Sequence, residues 1–131
     1  MAVILKKQIK HLKRGMIAIK KITIFFILIV SIIILAPFSY VQFKKLQASD
    51  RVWQYLTEEK GYEENDIKGL KSEWSFIGIP TYHVEVIFKN EPNIVYYYFA
   101  HREDAKGQFE YYDLNGKNVP IENLKNYDPN S

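Results

Sequence analysis

The distribution of apolar and polar residues separates one long apolar stretch from a more polar remainder. The stretch is residues 22–41, ITIFFILIVSIIILAPFSYV. It contains no charged residue, and fourteen of its twenty positions are Ile, Leu, Phe or Val. A helix of this length rises by roughly 30 Å, which matches the hydrocarbon thickness of a bilayer. The pattern therefore predicts a transmembrane anchor at residues 22–41.

After the span, the pattern stays helical as far as Gly61. The residues that share one helical face are Leu46, Ser49, Val52, Trp53 and Leu56. Ser49 or Asp50 could instead cap a new helix, because short polar side chains bond the first free backbone N–H groups. Gly61 is a suitable end, since glycine adopts the left-handed C′ conformation at little cost. We expect a juxtamembrane helix over residues 42–61.

The remaining residues alternate with the period of two that is typical of strands. The predicted strands are residues 67–76, 81–89, 94–101 and 108–114, with a short return at 117–121 after the hairpin signal Asn115-Gly116. A four-residue loop at 90–93 would place Val95, Tyr97 and Phe99 on the face of Val84. Tyr96, Tyr98 and Ala100 would then lie on the face of Glu85. The last residues, YDPNS, are expected to be frayed.

These elements predict an α+β fold, with a helix packed on a small antiparallel meander of three to five strands. The predicted organisation is a basic cytoplasmic segment at 1–21, the anchor at 22–41, the juxtamembrane helix at 42–61 and the sheet at 62–131. The sheet and the helix are expected to form one domain. Ninety residues after the span are enough for one small core and too few for two.

The distribution of charge predicts how the span is oriented in the membrane. Residues 1–21 carry seven Lys or Arg and no acidic residue, whereas residues 42–131 carry eleven basic and fifteen acidic residues. The positive-inside rule then predicts a single-pass protein with a cytoplasmic N-terminus and an extracytoplasmic C-terminal domain. A cleavable signal peptide is the alternative, because the run 22–35 is short enough for its apolar region. Translation could also begin at Met16, since MIAIKK is itself a normal flank.

The basic segment has two interpretations. Its apolar residues recur at spacings of four and three and line one helical face: Leu5, Ile9, Leu12, Met16 and Ile19. One hypothesis is a helix that lies on the anionic cytoplasmic leaflet. The other is a plain positive flank that only fixes orientation.

The segments DIKGLKSEWSF and YHVEVIFKNEPNIVYYYF follow the helix end Lys60-Gly61-Tyr62 and carry a family resemblance. The chain resembles, over residues 50–99, an uncharacterised family of short single-span or secreted proteins of Gram-positive bacteria, known as a domain of unknown function. The match depends mainly on Tyr82-x-Val84-x-Val86-x-Phe88 followed by Glu91-Pro92-Asn93, and Asn90 stands where the family form is expected to have Asp. The resemblance implies the location and the fold, and no activity.

Candidate chemistry is sparse. The chain has no cysteine, which excludes disulfides, thiolate metal sites and a cysteine nucleophile. His83 and His101 fall on opposite faces in the predicted register, and a single strand histidine is usually solvated. The acidic pairs at 58–59 and 63–64 flank a helix end, where carboxylates are usually only solvated. We therefore expect no enzyme, no catalytic residue, no metal and no cofactor. The acidic domain also argues against a nucleic-acid partner.

Tyrosine is the unusual feature, since six of the ten tyrosines lie between residues 82 and 112. The predicted register gathers Ile87, Tyr96, Tyr98 and Tyr112 into a candidate partner surface, because aromatic groups with polar tips are favoured at interfaces. The alternative is that the helix covers this face. We expect a membrane-tethered binding or regulatory module whose partners are the bilayer and another membrane or envelope protein. The rival hypotheses are an envelope hydrolase or small-ligand carrier, with a pocket near Trp53, Trp74 and Tyr82, and an immunity factor against a membrane-active toxin.

Overall fold

The computed structural model describes residues 1–75, 77, 82–100 and 107–128. A long helix, α1 (Ala2–Gln54), continues into a π-helical turn, Tyr55–Glu59. Four strands follow: β1 (Ile67–Trp74), β2 (Tyr82–Phe88), β3 (Ile94–Phe99) and β4 (Gly107–Asp113). Short 3-10 turns lie at Glu64–Asp66 and Ile121–Asn123. The strands form one sheet in the order β1-β2-β3-β4, with every neighbouring pair antiparallel, which confirms the predicted α+β meander.

The chain divides into two compact units, Met1–Tyr40 and Val41–Ser131. In the first unit α1 passes through Pro37, and its apolar side chains are exposed. The helix is long and apolar enough to cross a membrane, as a membrane anchor or a signal sequence near the N-terminus would be. α1 also runs through Ser49 and Asp50, so no new helix begins there.

The helical region ends where the sequence predicts. Gly61 has a φ of +76°, in the left-handed region that glycine tolerates best. The backbone N–H groups of Lys60 and Tyr62 donate to the carbonyl oxygens of Tyr55 and Leu56 at 3.1 and 2.9 Å. These bonds satisfy the last carbonyls of the helix.

The prediction of which β3 side chains share a face with Val84 is wrong, because the register of β3 is shifted by one residue. Val84 lies opposite Tyr98 and Val86 opposite Tyr96, so these four side chains share a face. The connection uses five residues, 89–93, because Lys89 leaves the ladder, and Glu91 N–H then donates to the Phe88 carbonyl at 3.1 Å. A single extra loop residue exchanges the two faces of the following strand.

The core lies between the helical segment from residue 48 to 56 and this face of the sheet. Ala48, Val52, Tyr55 and Leu56 supply the helix side, and each is at most 6% exposed. The sheet side consists of Val84, Val86, Phe88, Tyr96 and Tyr98, with Ile67, Ile94 and Ala100 at its margins. Leu46 was expected on this stripe but is 65% exposed, so the packed face begins at Ala48.

The C-terminal segment differs most from the prediction. The Asn115-Gly116 turn forms, with Gly116 N–H donating to the Asp113 carbonyl at 2.9 Å, but no strand follows at 117–121. The segment instead packs against the core side through Val119 and Leu124. Asn126 and Asp128 are buried, so the end is not frayed as far as residue 128. The predicted turn around residues 76–80 and His101 fall, apart from Ile77, outside the described residues.

Candidate functional site: an aromatic groove beside β4

The predicted partner surface does not exist as one surface. Tyr96 and Tyr98 are 0% and 1% exposed and lie on the face that packs on the helix. Ile87, half-buried, and Tyr112, 51% exposed, lie on the opposite face. The register of β3 places Tyr96 and Tyr98 on the face of Val84 and Val86. Tyr112 lies opposite Val95, whose side chain is on the other face, so the register separates it from Tyr96 and Tyr98. The buried tyrosines therefore cannot meet a partner, and the helix covers them.

The hydroxyl groups of the buried tyrosines explain why tyrosine rather than phenylalanine stands there. Tyr96 Oη donates to Glu91 Oε2 at 2.5 Å, and Gln108 Nε2 donates to Tyr98 Oη at 3.2 Å. Burial, followed by the adjacent Glu91 carboxylate, raises the pKa of Tyr96 far above its ordinary value. Burial also raises the pKa of Tyr98 strongly. Both side chains therefore stay neutral and act as structural hydrogen-bonding groups.

Residues 125–128 close the same end of the core. Asn126 Nδ2 donates to Asn90 Oδ1 and Glu91 Oε2 at 2.8 and 3.0 Å. The Asp128 carboxylate accepts from Tyr55 Oη at 2.6 Å and lies 3.0 Å from Lys60 Nζ. Burial and the Asp128 carboxylate raise the pKa of Tyr55. This polar clamp ties the C-terminal segment to the helix and to the β2–β3 turn.

The outer face of the sheet carries a second aromatic cluster. Phe109 lies 4.4 Å from Phe99 and 6.1 Å from Tyr97 between ring centroids, and His83 lies 5.8 Å from Tyr97. His83 is only 5% exposed, so the expectation of a solvated histidine is wrong. Its Nδ1 is buried and makes no hydrogen bond to any residue that the structure describes. Its Nε2 lies 4.0 Å from Glu85 Oε1.

This cluster continues into a groove along β4, the edge strand of the sheet. The groove has a volume of about 600 Å³, and its lining residues are Phe99, Gln108, Phe109, Glu110, Tyr111, Ile121 and Tyr127. Lining residues come from both faces of β4 and from the C-terminal segment, so the groove follows the outer edge of the strand. Within the described ranges, no strand pairs with that edge.

A register irregularity in β4 shapes the groove. Tyr97 pairs with Glu110 but Tyr98 pairs with Gln108, which leaves Phe109 as an extra residue. A bulge of this kind re-aims a side chain and increases the local twist. Phe109 thereby reaches Phe99 on the outer face, while Gln108 turns inward. Tyr111 Oη donates to the Val119 carbonyl at 2.8 Å and fixes the other wall.

The groove offers apolar contact, one carboxylate from Glu110 and one amide from Gln108. Gln108 is committed inside the fold, since its Oε1 accepts from Asp128 N–H at 3.0 Å. The described part of the chain contains no group of three His, Asp or Glu side chains that could hold a metal ion. The lining is therefore mostly aromatic and aliphatic, with one exposed carboxylate.

The comparisons with known proteins place the chain in a family. A family model described as "Protein of unknown function (DUF3139)" matches residues 19–98, which is more than half of the chain. The chain belongs to this DUF3139 family. The search of curated proteins and the search of solved structures each give no match.

The extent of the DUF3139 match is informative about the groove. It includes the apolar span, the helix, β1, β2 and most of β3. It ends at Tyr98, so β4 and the C-terminal segment, which supply most of the groove and one side of the clamp, lie beyond it. The match thus concerns the apolar span and the packed core and assigns no role to the groove.

Sequence reasoning missed most of the groove residues. Ile121 and Tyr127 were assigned to a return strand and a frayed end, although they form one wall. The signal that could have found them is composition: a polar tail that still carries Val119, Ile121, Leu124 and Tyr127 has apolar side chains to bury.

Proposed function

We propose that this chain is a non-catalytic, membrane-tethered binding or regulatory module, with its N-terminus in the cytoplasm and residues 42–131 outside the membrane. The groove beside β4 would receive an extended segment of another membrane or envelope protein. The observation that carries the proposal is an aromatic groove that follows a sheet edge on which no described strand pairs.

Anchoring is supported by the first unit. Its apolar side chains from Ile22 to Leu35 are largely exposed, which is costly in water and favourable in lipid. The seven preceding cations favour retention of the N-terminus on the cytoplasmic side. An uncleaved anchor keeps the second unit next to the membrane surface, where other membrane proteins are at high local concentration.

An extended polypeptide is the ligand that this geometry suits. A sheet edge presents backbone N–H and C=O groups to an added strand, and a neighbouring pocket can select its alternate side chains. Phe99 and Phe109 supply apolar contact area, and Tyr127, which is 39% exposed, adds a polar tip. A volume of about 600 Å³ is of the size that small ligands or a few side chains occupy.

Site-specific photocrosslinking tests this assignment. A photoreactive residue at Ile121, 47% exposed and in the groove, should crosslink a membrane or envelope protein in cells that produce the full chain. The same probe at Leu114, 53% exposed and outside the groove, is the matched control. Mass spectrometry of the adduct should locate the contact within one continuous segment of the partner.

A groove variant then checks that the contact depends on the groove. Tyr127→Ala should lower the yield of the Ile121 adduct several-fold, because it removes one wall without touching the core. Equal adduct yields from the Ile121 and Leu114 probes would contradict the proposal. An adduct that carries only a small molecule would favour a ligand carrier instead.

A further inference from the structure

Five apolar side chains of residues 2–21 line one side of α1, and the cations lie beside them. At about 100° per residue, these five fall within an arc of about 80°. They are Leu5, Ile9, Leu12, Met16 and Ile19. Val3, Ile4 and Ile17 lie outside this arc. All seven cations fall within an adjacent arc of about 140°: Lys6, Lys7, Lys10, Lys13, Arg14, Lys20 and Lys21. The segment contains no acidic residue.

The apolar arc is open to its surroundings. Its five side chains are 47% to 67% exposed, and the larger apolar residues of the span that follows are exposed as well. A flank that only fixes orientation needs cations near the span, but it does not need an apolar stripe that extends back to Leu5. An apolar environment would therefore stabilise the stripe, and an anionic surface would stabilise the cations.

We infer that residues 2–14 form an interfacial helix that binds an anionic lipid surface, with Leu5, Ile9 and Leu12 in the headgroup–acyl boundary and the cations against the lipid phosphates. A bilayer surface offers both chemistries at once, whereas a nucleic acid or an acidic protein segment would leave the stripe in water. The inference depends on the membrane anchoring in the proposed function, since the span brings the segment to the surface.

Docking requires α1 to bend toward the membrane. An upright helix would hold Leu5 roughly 25 Å beyond Ile22, and attraction to the lipid charges extends only about 8–10 Å at physiological salt. Gly15 is a suitable point, because glycine is the weakest helix former after proline and kinks commonly occur at glycine. A Cβ at Gly15 would meet nothing within 4 Å, so packing does not explain the glycine.

The absence of cysteine allows a direct measurement on the full chain. A polarity-sensitive fluorophore on Leu12→Cys would report the apolar arc, and one on His11→Cys, about 100° from Leu12 around the helix and outside the arc, serves as the control. Each labelled chain is reconstituted into vesicles of phosphatidylcholine alone or with one quarter phosphatidylglycerol. Both leaflets are the same, so the orientation of insertion does not affect the result.

The inference predicts a blue shift of the Leu12→Cys probe only in the anionic vesicles, while the His11→Cys probe stays water-like in both. Each cation is expected to favour the docked state about fivefold. Replacing Lys6, Lys7, Lys10 and Lys13 by Gln should therefore abolish the shift, as should molar salt. A Leu12→Cys probe that is water-like in both lipids, or equally shifted in both, would overturn the inference.

Vesicle flotation after an alkaline wash separates this inference from the proposed function. A chain that floats with the vesicles while the Leu12→Cys probe stays water-like refutes the interfacial helix and leaves the anchor intact. A chain that the wash removes refutes the anchor, and the interfacial helix with it.

Discussion

Replacing Tyr96 by alanine is the perturbation for which sequence and structure make opposite predictions. As part of a partner surface, Tyr96 would tolerate the change without loss of stability. In the structure it is fully buried between helix and sheet, with its ring 5.6 Å from that of Phe88. Truncation of a buried aromatic residue to alanine costs about 3–5 kcal/mol.

The lost hydroxyl adds to this cost. Tyr96 Oη donates to Glu91 and accepts from Asn126 N–H at 3.4 Å. Glu91 keeps its hydrogen bonds from Lys125 N–H and Asn126 Nδ2. The loss of the hydroxyl therefore adds only about 1 kcal/mol, the low end for a buried polar group that loses one hydrogen-bond partner. The total of about 4–6 kcal/mol is comparable with the roughly 5–14 kcal/mol expected for a unit of this size.

Urea unfolding of the full chain in mild detergent measures this directly. Both tryptophans, Trp53 and Trp74, lie in the second unit, so their fluorescence reports only on its unfolding. Tyr96→Ala should lower the midpoint by roughly 2–4 M, or leave the unit unfolded. Tyr96→Phe removes only the hydroxyl and should cost about 1 kcal/mol. Tyr112→Ala, at an exposed site, should stay within about 0.5 kcal/mol. Equal midpoints for Tyr96→Ala and Tyr112→Ala would refute the buried role of Tyr96.

Three further predictions concern alkaline stability, the helix end and the clamp. Burial raises the pKa of five tyrosines, so the stability they provide is complete below about pH 10 and is lost as pH rises above it; phenolate absorbance should appear in two phases, the second with unfolding. Gly61→Ala should cost about 1–2 kcal/mol because of the positive φ, whereas Gly69→Ala should be nearly neutral, and thermal unfolding compares the two. Asp128→Asn should cost about 1 kcal/mol by weakening the bond from Tyr55, and Asp50→Asn, at an exposed site, is its control.

Each of these has a clear contrary result. A single tyrosine titration near pH 10 with no unfolding would contradict the buried tyrosines. Equal losses of stability in Gly61→Ala and Gly69→Ala would show that the positive φ of Gly61 is not the cause of the loss. An Asp128→Asn variant as stable as the Asp50→Asn control would show that the Asp128 carboxylate contributes nothing to the stability.

Elements governed by local patterns could be predicted from the sequence. A largely apolar run without charged residues defines the span, Gly61 ends the helix through its φ, and the alternation from Tyr82 to Phe88 defines β2. Each signal depends on a few neighbouring residues, so it can be recognised without knowing which helix or strand packs against the element. The α+β class follows from the order of these elements.

The site could not be predicted because it depends on register and on long-range packing. One extra residue in the 89–93 loop exchanged the faces of β3, and with them the identity of the exposed aromatics. The bulge at Phe109 and the burial of Asp128 depend on contacts between distant segments, such as Tyr55 with Asp128. No local propensity encodes such contacts.

Membrane topology is the central claim, and a thiol label that cannot cross lipid tests it most directly. The native chain contains no cysteine, so Lys117→Cys, at an exposed turn position, gives a single reporter in the second unit, and His11→Cys gives one near the N-terminus. In intact cells the account predicts labelling at residue 117 and none at residue 11 until the cells are lysed. Labelling at residue 117 only after lysis would contradict it.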